Sequence, residues 1–416
     1  MKFKPYTIDA IIAHKNRIVS YKKDGTALIK LPDEGIQEVP PAQQFDLTQA
    51  TIFGLNERLT ASSTSPVVSK TGKTLREKFN LEWRKYAEAL EKSQNNVIDY
   101  GTYAYYYDRK NLVRYCSKYW HRVVAVASNS KLLIDAEEKL TWKEIRKIFE
   151  KTTVAVAGCS VGNNIIHNTV MDMRPNNIKI ADKSLYKMEN INRVRLQYSD
   201  IVKSNAERTN ISDLILQNKT EVAAMQLYHI DPYINIHLYR EGLNEKNIEK
   251  FFLGDKKEPK CDIIVEEVDD PWVKILIRKK AREYKVPLVM ATDAGSSVQL
   301  DVLRYDKKPN LPLTYGTTDS ELLRATHAVY DNPGNNKFFF EFVDALIGKD
   351  YREGQLEKII DMREEIPTST IIPQLGSTAA MAGAIVAETV ARIQLGHDYP
   401  PRVIIDKKTF RVRIYK

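Results

Sequence analysis

The stretch VAVAGCSVGNNIIHNTVMDMRPNNIKIAD, residues 154–182, reads as a strand, a glycine turn, a helix and a second strand that ends on an acid. Gly158 and Gly162 permit a tight turn directly after the first strand, and the helix that follows presents free N–H groups to a phosphate. The turn is not a full GxGxxG, because Ser160 stands at the second glycine position and Asn163 at the third. Taken alone it could equally be a structural strand-to-helix turn. Asp182, 24 residues after Gly158, sits where an acid accepts hydrogen bonds from ribose hydroxyls, in NAD and ATP binding alike. A surface turn is the plainer alternative for it.

Outward from this unit, the chain alternates strand and helix. Strands are expected at 154–157, 178–181, 234–239, 263–268 and 288–291, and helices at 164–173, 219–229 and 271–284. Three of the strands are continuous apolar runs, as in a parallel sheet buried on both faces. The pattern predicts an α/β fold, a doubly wound, Rossmann-like, mostly parallel sheet with ligands at the carboxyl ends of its strands. A long Ala/Gly-rich helix over 377–395 stops at Gly396 and lets another backbone approach closely. Residues 402–405 and 410–415 predict a closing hairpin.

The N-terminal region differs. Asp24-Gly25 between two apolar runs predicts a β-hairpin, residues 54–74 read as a polar linker, and 75–93 as a charged helix. The tyrosine-rich run 100–107 reads as packing. The expected division is an α+β accessory unit over 1–110 and a nucleotide-binding domain over 111–416, with its core at 152–305 and an elaboration at 306–416. No internal repeat is visible.

Composition sets bounds. Hydrophobic residues at 43% and charged residues at 28% describe a soluble globular protein with no run of about 20 apolar residues to span a bilayer. The first residues do not form a secretory signal, and three cysteines without a Cys-x-x-Cys pair make no disulfide framework, so the expected location is cytoplasmic. The net charge of +9 suits anionic ligands, but basic and acidic residues are interspersed, and nucleic acid is not the expected partner.

Asn190-Ile191-Asn192-Arg193 discriminates better than the glycine turn. A dehydrogenase needs no Arg just beyond the ribose acid. An enzyme attacking the α-phosphate of ATP does, because charge builds on the phosphoryl oxygens and a guanidinium meets them with its fork. With these residues the chain resembles the ThiF/MoeB-type, ubiquitin-activating-enzyme-like adenylyltransferase family. That family follows its Gly-rich turn with D-x-D-x-V-x-x-S-N-L-N-R, then a Lys opening a helix, then an acid after the next buried strand. Asp182 lies eleven residues before Arg193, as in the pattern, while its second acid falls on Ser184. For the lysine, NKTEVAAMQLYHIDPYINI matches the family run better than the residues around Lys203, so Lys219 is expected in that role, with an insertion within 196–212. Asp269, after the strand of CDIIVEEVDD, matches the acid that holds Mg²⁺. The resemblance covers about residues 136–405, with its specific motifs in 154–293.

The resemblance implies an ATP- and Mg²⁺-dependent enzyme that activates a carboxylate as an acyl-adenylate. The substrate would be the C-terminus of a peptide or ubiquitin-like protein, or a small molecule, and the enzyme a homodimer. Gly158, Ser160 and Gly162 would shape the phosphate turn, Asp182 hold the ribose, Asn190, Arg193 and Lys219 contact phosphates, and Asp269 hold the metal. Asp293 and Ser296 are candidate substrate contacts. Departures are the missing zinc Cys-x-x-Cys pairs and the absence of any Cys after Cys261; Cys116, Cys159 and Cys261 all read as structural rather than thioester-forming. Only Arg122 lies near the place of the arginine that the family supplies from a partner subunit. An NAD- or FAD-binding oxidoreductase and a non-catalytic scaffold of the same fold stay open as alternatives.

Overall fold

The computed structural model describes residues 140–203, 215–348 and 374–415, together with 4–9, 18–24, 27–30, 36–39, 52–54, 102–106, 111–115, 118 and 121–122. The chain divides into two compact units, Met1–Val124 and Ala125–Lys416. In the first unit, β1 (Tyr6–Asp9), β2 (Ile18–Tyr21), β3 (Ala27–Lys30), β4 (Ile36–Val39), β5 (Ile52–Gly54), β6 (Thr102–Tyr106) and β7 (Asn111–Tyr115) form two small sheets. Their orders are β2-β3-β4 and β1-β6-β7-β5. The hairpin expected around Asp24 is β2 paired antiparallel with β3. Part of the tyrosine-rich run is β6, while the expected linker beyond Gly54 and the helix over 75–93 lie outside the described residues.

The first described element of the second unit is α1 (Trp142–Lys151), started by a capping box in which Thr141 and Glu144 each satisfy the other's backbone N–H. Then come β8 (Thr153–Ala157), α2 (Val161–Met173), β9 (Asn177–Ala181), a 3-10 turn Met188–Asn192 and a short α3 (Tyr198–Ile201). A ribbon of β10 (Val202–Lys203) and β11 (Ile215–Leu216) leads to α4 (Lys219–Ile230), β12 (Asn235–Tyr239) and α5 (Ile248–Leu253). β13 (Ile263–Glu266), α6 (Pro271–Glu283), β14 (Leu288–Ala294) and β15 (Ser297–Leu303) follow. The last elements are α7 (Asp319–Asp331), α8 (Asn336–Ile347), α9 (Gly376–Gln394), β16 (Arg402–Asp406) and β17 (Arg411–Tyr415).

One sheet of eight strands carries the unit, in the order β12-β9-β8-β13-β14-β15-β16-β17. The first five are parallel; β15, β16 and β17 extend it antiparallel. The closing hairpin therefore belongs to the main sheet. Strand alternation sends Ala155, Ala157, Ile264, Leu288 and Met290 to one face, where they join Phe251, Phe252, Ile275, Ile277, Leu322, Phe342 and Leu346 from α5 to α8. The elaboration expected over 306–416 contains α7 and α8, whose apolar sides complete this core. Helices α2, α4 and α9 pack together, with α9 also lying on β14 and β15. A Cβ at Gly383 would lie 2.6 Å from Asn164 Cβ, so the small residue is what lets α9 approach α2.

Candidate functional site

β8 has β9 on one side and β13 on the other, so the chain reverses direction across the sheet at β8 and opens a crevice at its carboxyl end. The glycine turn fills this position. Gly158 has φ +97°, and a Cβ there would lie 2.3 Å from the Glu267 carbonyl oxygen, so the turn and the end of β13 meet backbone to backbone. Asp182 closes the turn from β9. Its Oδ2 accepts the Cys159 N–H at 2.7 Å and its Oδ1 the Ser184 N–H at 2.7 Å. Each oxygen keeps a second lone pair for a hydroxyl.

The residues that break the GxGxxG pattern tie the turn to its neighbours. Ser160 accepts the Arg193 Nε–H at 2.7 Å. Asn163, buried in α2, donates to Tyr186 Oη at 3.2 Å and Gln226 Oε1 at 3.3 Å. Tyr186 in turn donates to the Cys159 carbonyl at 3.3 Å. Gly162 sits against Val156, with 3.3 Å from its would-be Cβ to Val156 Cγ1.

Arg193 follows the 3-10 turn. Asn190 is buried there, accepts the Lys187 N–H on its side chain at 3.0 Å, and takes the Arg193 N–H on its carbonyl at 3.2 Å. It was expected to touch phosphates; its hydrogen bonds shape the turn that carries Arg193. The Arg193 carbonyl is held by Asn164 Nδ2 at 2.8 Å, and its guanidinium has no carboxylate partner among the described residues.

Lys219 opens α4, with its N–H on the Ser184 carbonyl at 3.1 Å and Asn218 as N-cap. Its side chain is only 8% exposed, and its ammonium lies 5.8 Å from the Tyr186 ring centre. Among the described residues no carboxylate pairs with it. The β10–β11 ribbon places Lys203 in an antiparallel pair, upstream of the Asn218 cap that delivers Lys219 to the crevice.

The acids after β13 are sorted by their partners. Glu266 is fully buried against Lys274 at 2.6 Å and Arg278 at 3.0 Å. Glu267 accepts the Ala291 N–H at 2.8 Å, and burial pushes its carboxyl well up. Asp270 caps α6 through the N–H groups of Trp272 and Val273, with Pro271 at the first helical position. Asp269 alone of the four has no hydrogen bond among the described residues. Water reaches it, yet protein surrounds it on most sides. That desolvation raises its carboxyl, Lys274 and Lys219 oppose the shift, Asp182 adds to it and Arg193 opposes it. Asp269, Lys219, Asp182 and Arg193 thus share one electrostatic site.

Asp293, at the end of β14, joins them. Its Oδ1 accepts from Gln374 Nε2 at 2.7 Å, and Gln374 also offers its carbonyl to Asn192 Nδ2 at 3.2 Å. Burial pushes Asp293 up to about 7; Gln374, its own backbone N–H and Arg193 pull it back, and Asp269 adds to the rise. Ser296, in the turn between β14 and β15, donates to Asp406 Oδ1 at 3.3 Å. Cys159 and Cys261 are free and buried, with burial pushing Cys159 well up and Cys261 to about 12, so neither is an activated thiol. Cys116 lies outside the described residues. Tyr186, Asn164 and Gln374 escaped the sequence reading, since nothing in their local pattern marks them.

Among the described residues no three His, Cys, Asp or Glu side chains gather as a metal cage, and no helix is long and apolar enough to cross a membrane. The chain is 28% identical over 297 residues to the uncharacterized protein MT1398 of Mycobacterium tuberculosis, a match covering 71% of this chain and 36% of that protein. It thus spans little more than a third of that relative's length. Among solved structures it is similar to PaaA, with 15% identity, a TM-score of 0.46, and 83% of this chain and 97% of that one covered. It is also similar to E. coli MccB solved with ATP, with 16% identity, a TM-score of 0.39, and 65% and 66% covered. The model of the ThiF family matches residues 137–415, from just ahead of α1 to the end of β17, and the chain belongs to that family.

Proposed function

We propose that this chain is an ATP- and Mg²⁺-dependent adenylyltransferase that activates a substrate carboxylate. The observation that carries the reading is the pair of cations at the crevice, a buried Lys219 and a half-buried Arg193, with no carboxylate paired to either among the described residues. A buried charge without a counter-ion is costly, and a triphosphate supplies the missing negative charge.

In this reading Gly158, Ser160 and Gly162 shape the turn under the phosphates, and Asp182 accepts from ribose hydroxyls with its remaining lone pairs. A substrate carboxylate oxygen attacks the α-phosphorus, the bond to the bridging oxygen breaks, and pyrophosphate leaves. Arg193 and Lys219 meet the charge that grows on the phosphoryl oxygens. Asn190 positions Arg193. Asp269, unpaired and open to solvent, suits a Mg²⁺ held mainly by phosphate oxygens and one carboxylate, and the ion would offset charge on the departing pyrophosphate. With Cys159 and Cys261 buried and disfavoured as thiolates, the acyl-adenylate passes to an acceptor other than these thiols. The substrate is a peptide or ubiquitin-like protein C-terminus or a small acid. The enzyme works as a homodimer, checked by light scattering.

ATP–pyrophosphate exchange tests the reading, with calorimetry for ATP and Asp269→Ala as the control. Exchange that disappears in the variant supports it. A protein that binds NADH but not ATP would instead be the oxidoreductase, and one that binds neither a scaffold.

A further inference from the structure

The edge of the main sheet opposite the crevice holds a second hollow. Asp262 leads into β13, Pro287 leads into β14, and Asp306 follows β15, which runs the other way, so all three meet at the amino ends of the parallel strands. Between them and the ends of α5, α6 and α9 lies a cavity of about 300 Å³. β13 separates it from the crevice, its four residues, Ile263–Glu266, spanning roughly 13 Å. Nothing in adenylation as proposed uses this cavity.

Its lining divides by chemistry. Phe252, Cys261, Val286, Pro287 and Ile393 are buried and form an apolar floor. Half-buried Tyr284 extends it, with its ring centre 5.7 Å from that of Phe252. The rim is charged. Arg304 takes both oxygens of Asp306, at 2.9 and 2.7 Å, and Asp262 Oδ2 accepts the Thr153 N–H at 2.8 Å. Lys260 and Lys285 stand exposed at the same rim, and neither has an ion pair among the described residues. With Asp306 offset by Arg304, two lysines against Asp262 leave the rim net positive.

The backbone of Lys285 adds an independent sign. It follows the end of α6 at φ +55°, a left-handed position where glycine or asparagine avoids crowding of the Cβ. The helix dipole does not call for a lysine there, because Lys280 and Arg282 already stand in the last turn. Strain kept where a long cation stands at the mouth of a cavity speaks for binding.

We propose that this cavity binds a small monocarboxylate with an aromatic or branched hydrocarbon body. Its volume sits at the lower end of small-molecule sites, about 300–1,000 Å³, which suits a single ring. The body packs on the floor and Tyr284, and the carboxylate meets Lys260 and Lys285. Inorganic phosphate would leave the floor wet, and a neutral hydrocarbon would gain nothing from the lysines. The site needs no nucleotide and stands independently of the adenylation reading.

Phenylacetate is the probe, beside phenylacetamide, acetate and inorganic phosphate, with binding to the full chain read by saturation-transfer NMR and calorimetry. Phenylacetate should saturate the wild type with a Kd of about 1 mM or below. The other three should bind roughly tenfold more weakly or worse, each lacking the charge or the body. Lys285→Gly should weaken phenylacetate several-fold while the Tm holds or rises, since glycine relieves the left-handed backbone. The double variant Lys260→Ala/Lys285→Gly should lose about tenfold or more in affinity. Lys246→Ala, an exposed lysine outside the cavity, should change nothing, and ATP affinity should be the same in all three. Absence of saturable phenylacetate binding by the wild type overturns the proposal, as does equal binding of phenylacetamide or an affinity that survives in the double variant. Binding that falls in Arg193→Ala but not in the lysine variants belongs to the crevice and overturns it too.

Discussion

Two of the buried lysines in the second unit are kept in opposite ways. Lys179, in β9, is fully buried and donates to Glu258 at 3.2 Å and to the Phe251 carbonyl at 2.8 Å. Burial pulls its ammonium down, and Glu258 opposes the shift. Tyr239 donates to the same carboxylate and His237 lies 3.6 Å from it, so every charge in that region is met from within the chain. Lys219, at the crevice, is nearly as buried, but among the described residues its ammonium lies against the Tyr186 ring with no carboxylate paired to it. The contrast separates a charge that holds the fold from one held ready for an anion.

The largest expected effect tests the first half of that contrast. Lys179→Ala strands Glu258 without its cation, and denaturant unfolding should show a loss of about 3–5 kcal/mol. ATP affinity of the folded protein should not change. A loss below about 1 kcal/mol would erase the difference between the two lysines.

Lys219→Ala tests the other half. Exchange turnover should fall by roughly 10²–10³. Unfolding stability should stay level or rise, since the variant removes a buried charge that lacks a counter-ion. A stability loss comparable to that of Lys179→Ala would make Lys219 a structural residue.

Next comes pH, through Asp293. Its carboxyl is raised from 3.8 to about 7, so the folded state keeps a proton that the unfolded chain has already released. Its contribution to stability is therefore greatest below pH 4, falls as pH climbs from about 4 to 7, and is flat above. The full drop is on the order of 2–4 kcal/mol. Asp293→Asn should match the wild type at pH 4 and exceed it at pH 8; parallel melting curves across that range would contradict the buried, proton-holding carboxyl.

The smallest effect falls on Asp182. Asp182→Asn keeps one acceptor oxygen for two N–H groups, Cys159 and Ser184. Stability should drop by about 1–2 kcal/mol and nucleotide affinity with it. Unchanged ATP binding by calorimetry would remove Asp182 from the ribose site.

Much of the architecture was legible in the sequence. The runs around Val154, Ile178, Ile263 and Leu288 are strands because short, largely apolar segments bury on both faces, Lys179 in β9 being a charged exception, and the helices between them begin and stop within a few residues of expectation. α7 and α8 were not legible. Their apolar sides make sense only against the sheet face they cover, although the capping box of Thr318 and Glu321 is a local signal for the start of α7. The candidate site divides in the same way. Gly158, Asp182, Arg193 and Lys219 stand at spacings set by a turn, a strand and a cap, which are local. The singling out of Asp269 among four neighbouring acids depends on Lys274, Arg278, Ala291 and Tyr330, which claim the others.

By itself, then, the sequence determined the nucleotide-binding unit between Val154 and Asp182 and the order of the charged residues that follow it. Hydrophobic period, glycine freedom and helix caps act over a few residues and can be read along the chain. The tertiary structure alone decided which charges are answered and which are left open. Gln374 reaches Asp293 across 81 residues, Glu258 reaches Lys179 across 79, and the crevice lies at the carboxyl end of β8, where β9 flanks it on one side and β13 on the other. A partner is found in space, and only the folded chain shows that, among the described residues, Lys219 has no carboxylate paired to it and the Oδ2 of Asp293 has no hydrogen-bond partner.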